Sequence, residues 1–153
     1  EGPADGRAEV EISGRVERFQ FVSVGNPQCV FEVASPEQLD ALDIGAIGPL
    51  IEHDSRFPGR TNVSWWTAID ERKIRARIFE RGVGETASSG TGASGAAVAS
   101  VLAGGSSPVT VALDGGELLV EVDDAMNVAL SGTANCVERI RVSGELLDRV
   151  TSL

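Results

Sequence analysis

From Thr91 to Ala103 the chain runs for thirteen residues, TGASGAAVASVLA, without one charged side chain. Such a run of Ala, Val, Leu and Ser reads as a helix, and a helix with no charged face has to be buried on every side. The stretch that leads into it, FERGVGETASSG, is a strand end followed by a polar turn. Where a turn opens a helix, the first N–H groups are unpaired and the helix dipole favours negative charge. Glycine and small hydroxyl residues let a ligand approach those groups closely. Ser88, Ser89, Gly90, Thr91 and Gly92 therefore form a candidate cradle for a carboxylate or phosphate. An isolated SGTG is also ordinary capping chemistry. Glu80, Arg81 and Glu85 just upstream bring ionisable groups to this one, which favours a site.

The rest of the chain supplies the strands to bury that helix. Arg7 to Phe19 alternates, with Val10, Ile12 and Val16 in one register, and FQFVSV extends the β pattern to Gly25, which predicts two strands. A turn at Gly25-Asn26-Pro27 leads into the strand CVFEV. Ser35 as N-cap and Pro36 at the first position predict a short helix over PEQLDAL. Gly45 to His53 reads as a second short helix or turn broken by Gly48 and Pro49, followed by the polar loop SRFPGRTN. Thr61 to Ile69 and KIRARIFE form a hairpin across Asp70-Glu71-Arg72. Trp65 and Trp66 then point to opposite faces, one into the core and the other over an edge or cleft. Beyond the Gly104-Gly105 stop, VTVAL, ELLVEV and MNVALSG form a meander, and Asn135 to Val142 is expected as a last strand. The tail RVTSL carries no signal. The fold class is α+β, with an antiparallel, barrel-like sheet wrapped around a central apolar helix.

Bulk properties exclude several partners. A formal net charge of −10 is repelled by nucleic acid and by anionic membrane. No apolar run reaches the roughly 20 residues of a membrane span. The N-terminal EGPADG lacks the basic start and apolar centre of a signal peptide, so a cytoplasmic protein is expected. Residues 1–6 read as a linker or boundary and residues 7–153 as a single domain, with the expectation that the 153 residues are a piece of something longer. Cys29 and Cys136 both sit in apolar, strand-like runs and are expected as buried free thiols. The single His53 and the lack of a ligand cluster predict no metal, and no cofactor is expected.

Four strings occur in order: GNPQCV (25–30), FPGRTNV (57–63), ERGVGETASSGTGA (80–93) and LSGTAN (130–135). Together they resemble the C-terminal half of diaminopimelate epimerase, an amino acid epimerase that works without pyridoxal phosphate. The resemblance implies a fold of two pseudo-symmetric domains, each a sheet around a central helix, with the active site between them. Only the C-terminal domain is expected here. Its N-terminal partner, which carries a first catalytic cysteine, has no counterpart, so the isolated domain is expected to be inactive. A homodimer of the full-length protein is a further expectation.

By motif, Asn26 and Asn62 resemble the amides that bind the distal amino acid end of the substrate, and Glu80 and Arg81 resemble the pair that contacts it beside the acid/base centre. Gly90 and Thr91 resemble the donors that hold the reacting α-carboxylate. Two positions depart from the family pattern. Gln28 stands where the family has an assisting histidine, and Ser89 stands where it has the catalytic cysteine. Stereoinversion needs one group to remove the Cα proton and another on the opposite face to return one. A thiol, with a pKa of about 8.5 that falls at a helix N-terminus, suits this task. A serine hydroxyl is a far weaker acid and needs an adjacent base. Ser89, assisted by Glu80 and Gln28, is the expected catalytic set. The reaction expected is Cα proton transfer between LL- and meso-diaminopimelate. The alternatives are a catalytically impaired amino acid-binding module, or a related isomerase or dehydratase acting on another amino acid.

Overall fold

The computed structural model describes residues 6–12 and 14–151. The linker expected over residues 1–6 lies outside them except for Gly6, whose carbonyl accepts the Phe21 N–H at 2.6 Å. The first strands are β1 (Arg7–Ile12), β2 (Arg15–Ser23) and β3 (Pro27–Glu32). Two helices follow, α1 (Pro36–Asp40) and α2 (Ile44–Glu52), then β4 (Asn62–Asp70), β5 (Lys73–Glu80) and the short β6 (Gly84–Thr86). The central helix α3 (Gly90–Leu102) leads to β7 (Val109–Leu113), β8 (Gly116–Val122), β9 (Val128–Ser131) and α4 (Gly144–Thr151).

The sheet runs in the order β1-β2-β3-β4-β5-β7-β8-β9, with β6 paired to the far end of β5. Its outer strands, β1 and β9, do not meet, so the barrel-like sheet expected from the sequence is an open one. Nor is it wholly antiparallel: β3 pairs parallel to β4, and β5 parallel to β7. Hairpin turns make antiparallel neighbours, but α1 and α2 carry the chain from β3 to β4, and α3 carries it from β5 to β7. A helical crossover returns the chain to the end where the first strand began, which makes the next strand parallel. The class remains α+β.

The two crossovers cover opposite faces. On one face α1 and α2 lie over Cys29, Phe31, Val63, Trp65 and Phe79. On the other α3 packs on Val30, Trp66, Ala76 and Ile78, and it touches every strand from β2 to β9 except β6. Trp65 and Trp66 do point to opposite faces, but both are buried in core, because β4 is covered on each side. Alternation across the β1–β2 hairpin also changes face at Gly14. Val16 pairs with Glu11, not with the Val10 and Ile12 side, and is 65% exposed.

Small residues let α3 sit close to the sheet. A Cβ on Gly92 would lie 2.6 Å from Ile78 Cγ2, and one on Gly95 would lie 2.9 Å from Gln28 Cγ. Burying a side chain such as Ile78 contributes about 1.5–3 kcal/mol, and the small residues of α3 are what let the sheet pack directly against it. The other helices follow their caps. Ser35 Oγ accepts the Gln38 N–H at 3.3 Å, and Asp43 Oδ1 accepts the Ala46 N–H at 3.1 Å. Pro49 does not break α2 as expected: the helix continues to Glu52, and the His53 N–H reaches the Pro49 carbonyl at 3.2 Å.

The strand expected over Asn135 to Val142 does not form. Residues 132–143 carry no regular structure and lead into α4, and Val137 is 96% exposed. Its apolar residues face no partner strand, and Cys136, expected to be buried, is exposed. Among the described residues no helix is long and apolar enough to cross a membrane.

Candidate active site

The polar turn before α3 is built by β5 and β6. After Glu80 the chain reverses through Gly82, at φ +76°, and the Val83 N–H bonds the Glu80 carbonyl at 3.0 Å. Glycine meets that left-handed backbone without strain. β6 then returns along β5, pairing Glu80 with Gly84 and Ile78 with Thr86. The Gly115 N–H fixes the Ala87 carbonyl at 2.6 Å, and the chain turns into α3.

Ser89 is the N-cap of α3: extended at φ −147°, it accepts the Gly92 N–H on Oγ at 3.2 Å and the Ala93 N–H on its carbonyl at 2.9 Å. Ser89 is buried, whereas Gly90 and Thr91 are exposed at the helix mouth. The N–H groups of Gly90 and Thr91, in the first turn of α3, have no intrahelical acceptor.

Sixty-five positions away in sequence, the Gly25-Asn26-Pro27 turn reaches the same helix end. Asn26 Nδ2 donates to Thr91 Oγ1 at 3.3 Å, and Gln28 Nε2 donates to Asn26 Oδ1 at 2.8 Å. Gln28 is fully buried, and its Oε1 has no hydrogen-bond partner. Parallel pairing sets Gln28 beside Asn62 on β4. Asn62, also buried, accepts the Arg81 N–H on Oδ1 at 2.8 Å. Glu80 Oε1 accepts the Thr86 hydroxyl at 2.9 Å, and Arg81 Nη1 donates to the Gly59 carbonyl at 2.7 Å.

Two groups therefore meet at adjacent strands: Gln28, Asn26 and Thr91 as one hydrogen-bonded chain, and Asn62, Glu80 and Arg81 around the turn. Among the described residues no hydrogen bond or ion pair joins Ser89 to Glu80 or Gln28. The Ser89 hydroxyl oxygen is instead occupied by a donor of its own helix start, the Gly92 N–H, and the Glu80 carboxylate is engaged by Thr86.

Sequence reasoning passed over Glu52. Buried at the end of α2, its Oε1 accepts the Gly82 N–H at 2.9 Å and an Arg60 N–H at 3.4 Å, which ties the Arg81–Gly82 turn to the helix. One signal was available: a carboxylate in the last turn of an otherwise apolar helix, where the dipole disfavours it. Thr86, the partner of Glu80, left no such signal. Among the described residues no group of three or more His, Cys, Asp or Glu side chains could hold a metal ion.

A sequence profile of the family described as diaminopimelate epimerase matches residues 20–137. The chain is 44% identical over 126 residues to the diaminopimelate epimerase of Pelotomaculum thermopropionicum, covering 82% of this chain and 44% of that protein. It is 42% identical over 127 residues to that of Moorella thermoacetica, again 82% of this chain and 44% of the relative. Against the diaminopimelate epimerase of Bacillus subtilis it is 42% identical over 132 residues, 84% of this chain and 44% of the relative. A solved phenazine biosynthesis protein of the PhzF family from Bacillus anthracis is a distant neighbour, with a TM-score of 0.44 and 18% identity over 73% of this chain and 37% of that one. The chain thus spans less than half the length of the relatives it matches in sequence. With the family profile matched over most of its residues, the chain belongs to the diaminopimelate epimerase family.

Proposed function

We propose that this chain is the C-terminal, carboxylate-binding half of an amino acid epimerase that interconverts LL- and meso-diaminopimelate. The observation that carries the reading is the start of α3, where the exposed Gly90 and Thr91 N–H groups stand beside a Thr91 hydroxyl held by Asn26. A substrate α-carboxylate placed there takes hydrogen bonds at the positive end of a buried thirteen-residue helix. When the Cα proton leaves, negative charge moves onto that carboxylate, and the same donors stabilise it more strongly than in the ground state. Asn62, Arg81 and Glu80, on the neighbouring turn, face the distal amino acid end, whereas Asn26, expected at that end from the motif, is assigned here to the carboxylate end through its bond to Thr91. The second, opposite-face acid/base group comes from the N-terminal partner domain, which corresponds to the length of the relatives that this chain does not span.

Ser89 stands at the proton-transfer position but has no base bonded to it, and the amide of Gln28 cannot take a proton at neutral pH. These two residues favour a second reading, an amino acid-binding module with little or no catalysis. One experiment separates the two. Full-length protein is incubated with diaminopimelate in D₂O and α-deuterium incorporation is followed by NMR, for wild type and Ser89→Cys. Exchange by either supports the epimerase. Binding in calorimetry without exchange by either supports the module and sinks the epimerase reading.

A further inference from the structure

Gln28 sits at the buried end of the hydrogen-bonded chain whose other end is the Thr91 hydroxyl. Its Nε2 donates to Asn26 Oδ1, and Asn26 Nδ2 donates to Thr91 Oγ1, so both links run in one direction, outward from the core. A threonine hydroxyl has a single hydrogen and two lone pairs. With a lone pair occupied by Asn26, the hydrogen of Thr91 is free to point to a ligand at the helix mouth. If both amides were turned over, Thr91 would donate inward to Asn26 and offer the ligand only lone pairs. The direction of two amides, one buried and one half-buried, thus decides whether the site presents a donor or an acceptor.

The buried end fixes that direction. Gln28 is 0% exposed and its Oε1 has no partner. Turned over, the amide would place two N–H hydrogens in that partnerless position, and an orphaned buried donor is rarer than an under-satisfied oxygen. The side chain is also clamped, because α3 approaches so closely that a Cβ on Gly95 would lie 2.9 Å from Gln28 Cγ.

We infer that Gln28 is a positioning residue that sets the polarity of the Asn26–Thr91 pair, so that Thr91 donates to a carboxylate oxygen and the site selects an anionic oxygen over an ammonium group. The inference rests on the carboxylate reading above. In this role Gln28 neither touches the ligand nor exchanges a proton, and its effect on binding passes wholly through Thr91.

A double-mutant cycle tests it. The affinity of full-length protein for meso-diaminopimelate is measured by calorimetry for wild type, Gln28→Met, Gln28→His, Thr91→Val and the Gln28→Met/Thr91→Val double variant. Methionine fills the same volume without a donor, and losing one hydrogen bond to a charged group weakens binding about tenfold or more. Histidine keeps a ring N–H for Asn26 and holds affinity within about threefold of wild type. The double variant binds no more weakly than Thr91→Val alone. Wild-type affinity in Gln28→Met, or losses that add in the double variant, would overturn the inference. If Gln28→Met fails to fold by circular dichroism, Asn26→Ala on the half-buried turn takes its place, with the same non-additivity expected and additivity again decisive against it. A wild type that binds no diaminopimelate overturns the carboxylate reading and the relay together, whereas a wild type that binds with additive losses overturns the relay alone.

Discussion

Ser89 Oγ accepts the Gly92 N–H at 3.2 Å, so the side chain at the expected proton-transfer position is also the residue that closes the first turn of α3. The two roles pull apart on substitution. Ser89→Ala removes the cap and is expected to cost about 1 kcal/mol. Ser89→Cys replaces a good acceptor by a weak one and is expected to lose part of the same amount, even if it gains α-proton exchange. Urea unfolding of the three proteins checks this, and equal midpoints for all three would show that the cap contributes nothing.

Gly48 and Phe79 join α2 to the sheet. A Cβ on Gly48 would lie 2.4 Å from Phe79 Cδ2 and 2.5 Å from its Cγ, inside any real contact distance. Phe79 is buried and cannot swing out freely. Gly48→Ala is expected to destabilise by about 1–3 kcal/mol through overpacking. Phe79→Leu, which frees space, makes the alanine better tolerated, so the double variant loses less than the sum of the two singles. Additive losses in thermal or urea unfolding would place the strain elsewhere.

What the sequence made legible was local. The uncharged run from Thr91 to Ala103 marked the buried helix, Ser35 and Pro36 marked the start of α1, and KIRARIFE coincides with β5 at both ends. The parallel pairings were not legible, because turn signals describe hairpins and the β3–β4 and β5–β7 pairs are set by where helices return the chain. β6, three residues long, is too short to show a period. NCVERIRV has the alternation of a strand, yet alternation states only which faces differ, and no partner edge meets it. At the site the motif reached Ser89, Gly90 and Thr91. The link from Gln28 through Asn26 to Thr91 joins distant segments and exists only once β3 is laid against α3.

Asp54 and Arg56 form a fork that holds the loop after α2. Arg56 Nε donates to Asp54 Oδ1 at 2.6 Å and Nη2 to Oδ2 at 2.8 Å, while Nη1 bonds the Glu9 carbonyl on β1. The guanidinium lowers the Asp54 carboxyl from 3.8 to about 2. A carboxyl lowered on folding adds stability that is complete above its unfolded value and disappears as pH falls through the folded one. The contribution, about 1 kcal/mol once partial exposure is allowed for, is therefore present above pH 3.8 and lost towards about pH 2. Asp54→Asn should remove that part of the pH dependence. If wild type and Asp54→Asn lose stability in parallel between pH 5 and pH 2, the fork has no such role.

The two thiols differ in everything that controls reactivity. Cys29 lies in β3 with no exposed surface, and burial pushes its thiol well above the ordinary range despite the nearby Arg56 cation. The thiolate is the reactive form, so a raised pKa and closed packing both protect it. Cys136 is exposed in the irregular segment before α4, with only a 3.5 Å contact from its thiol to the Glu138 carbonyl. A thiol-reactive chromophore at pH 8 should therefore label one cysteine per chain rapidly and the second only in denaturant, and Cys136→Ser should abolish the fast phase. Two fast thiols would mean that β3 opens readily between α2 and α3. No fast thiol would mean that residues 132–143 are covered in solution, against the exposure of Cys136 in the structure.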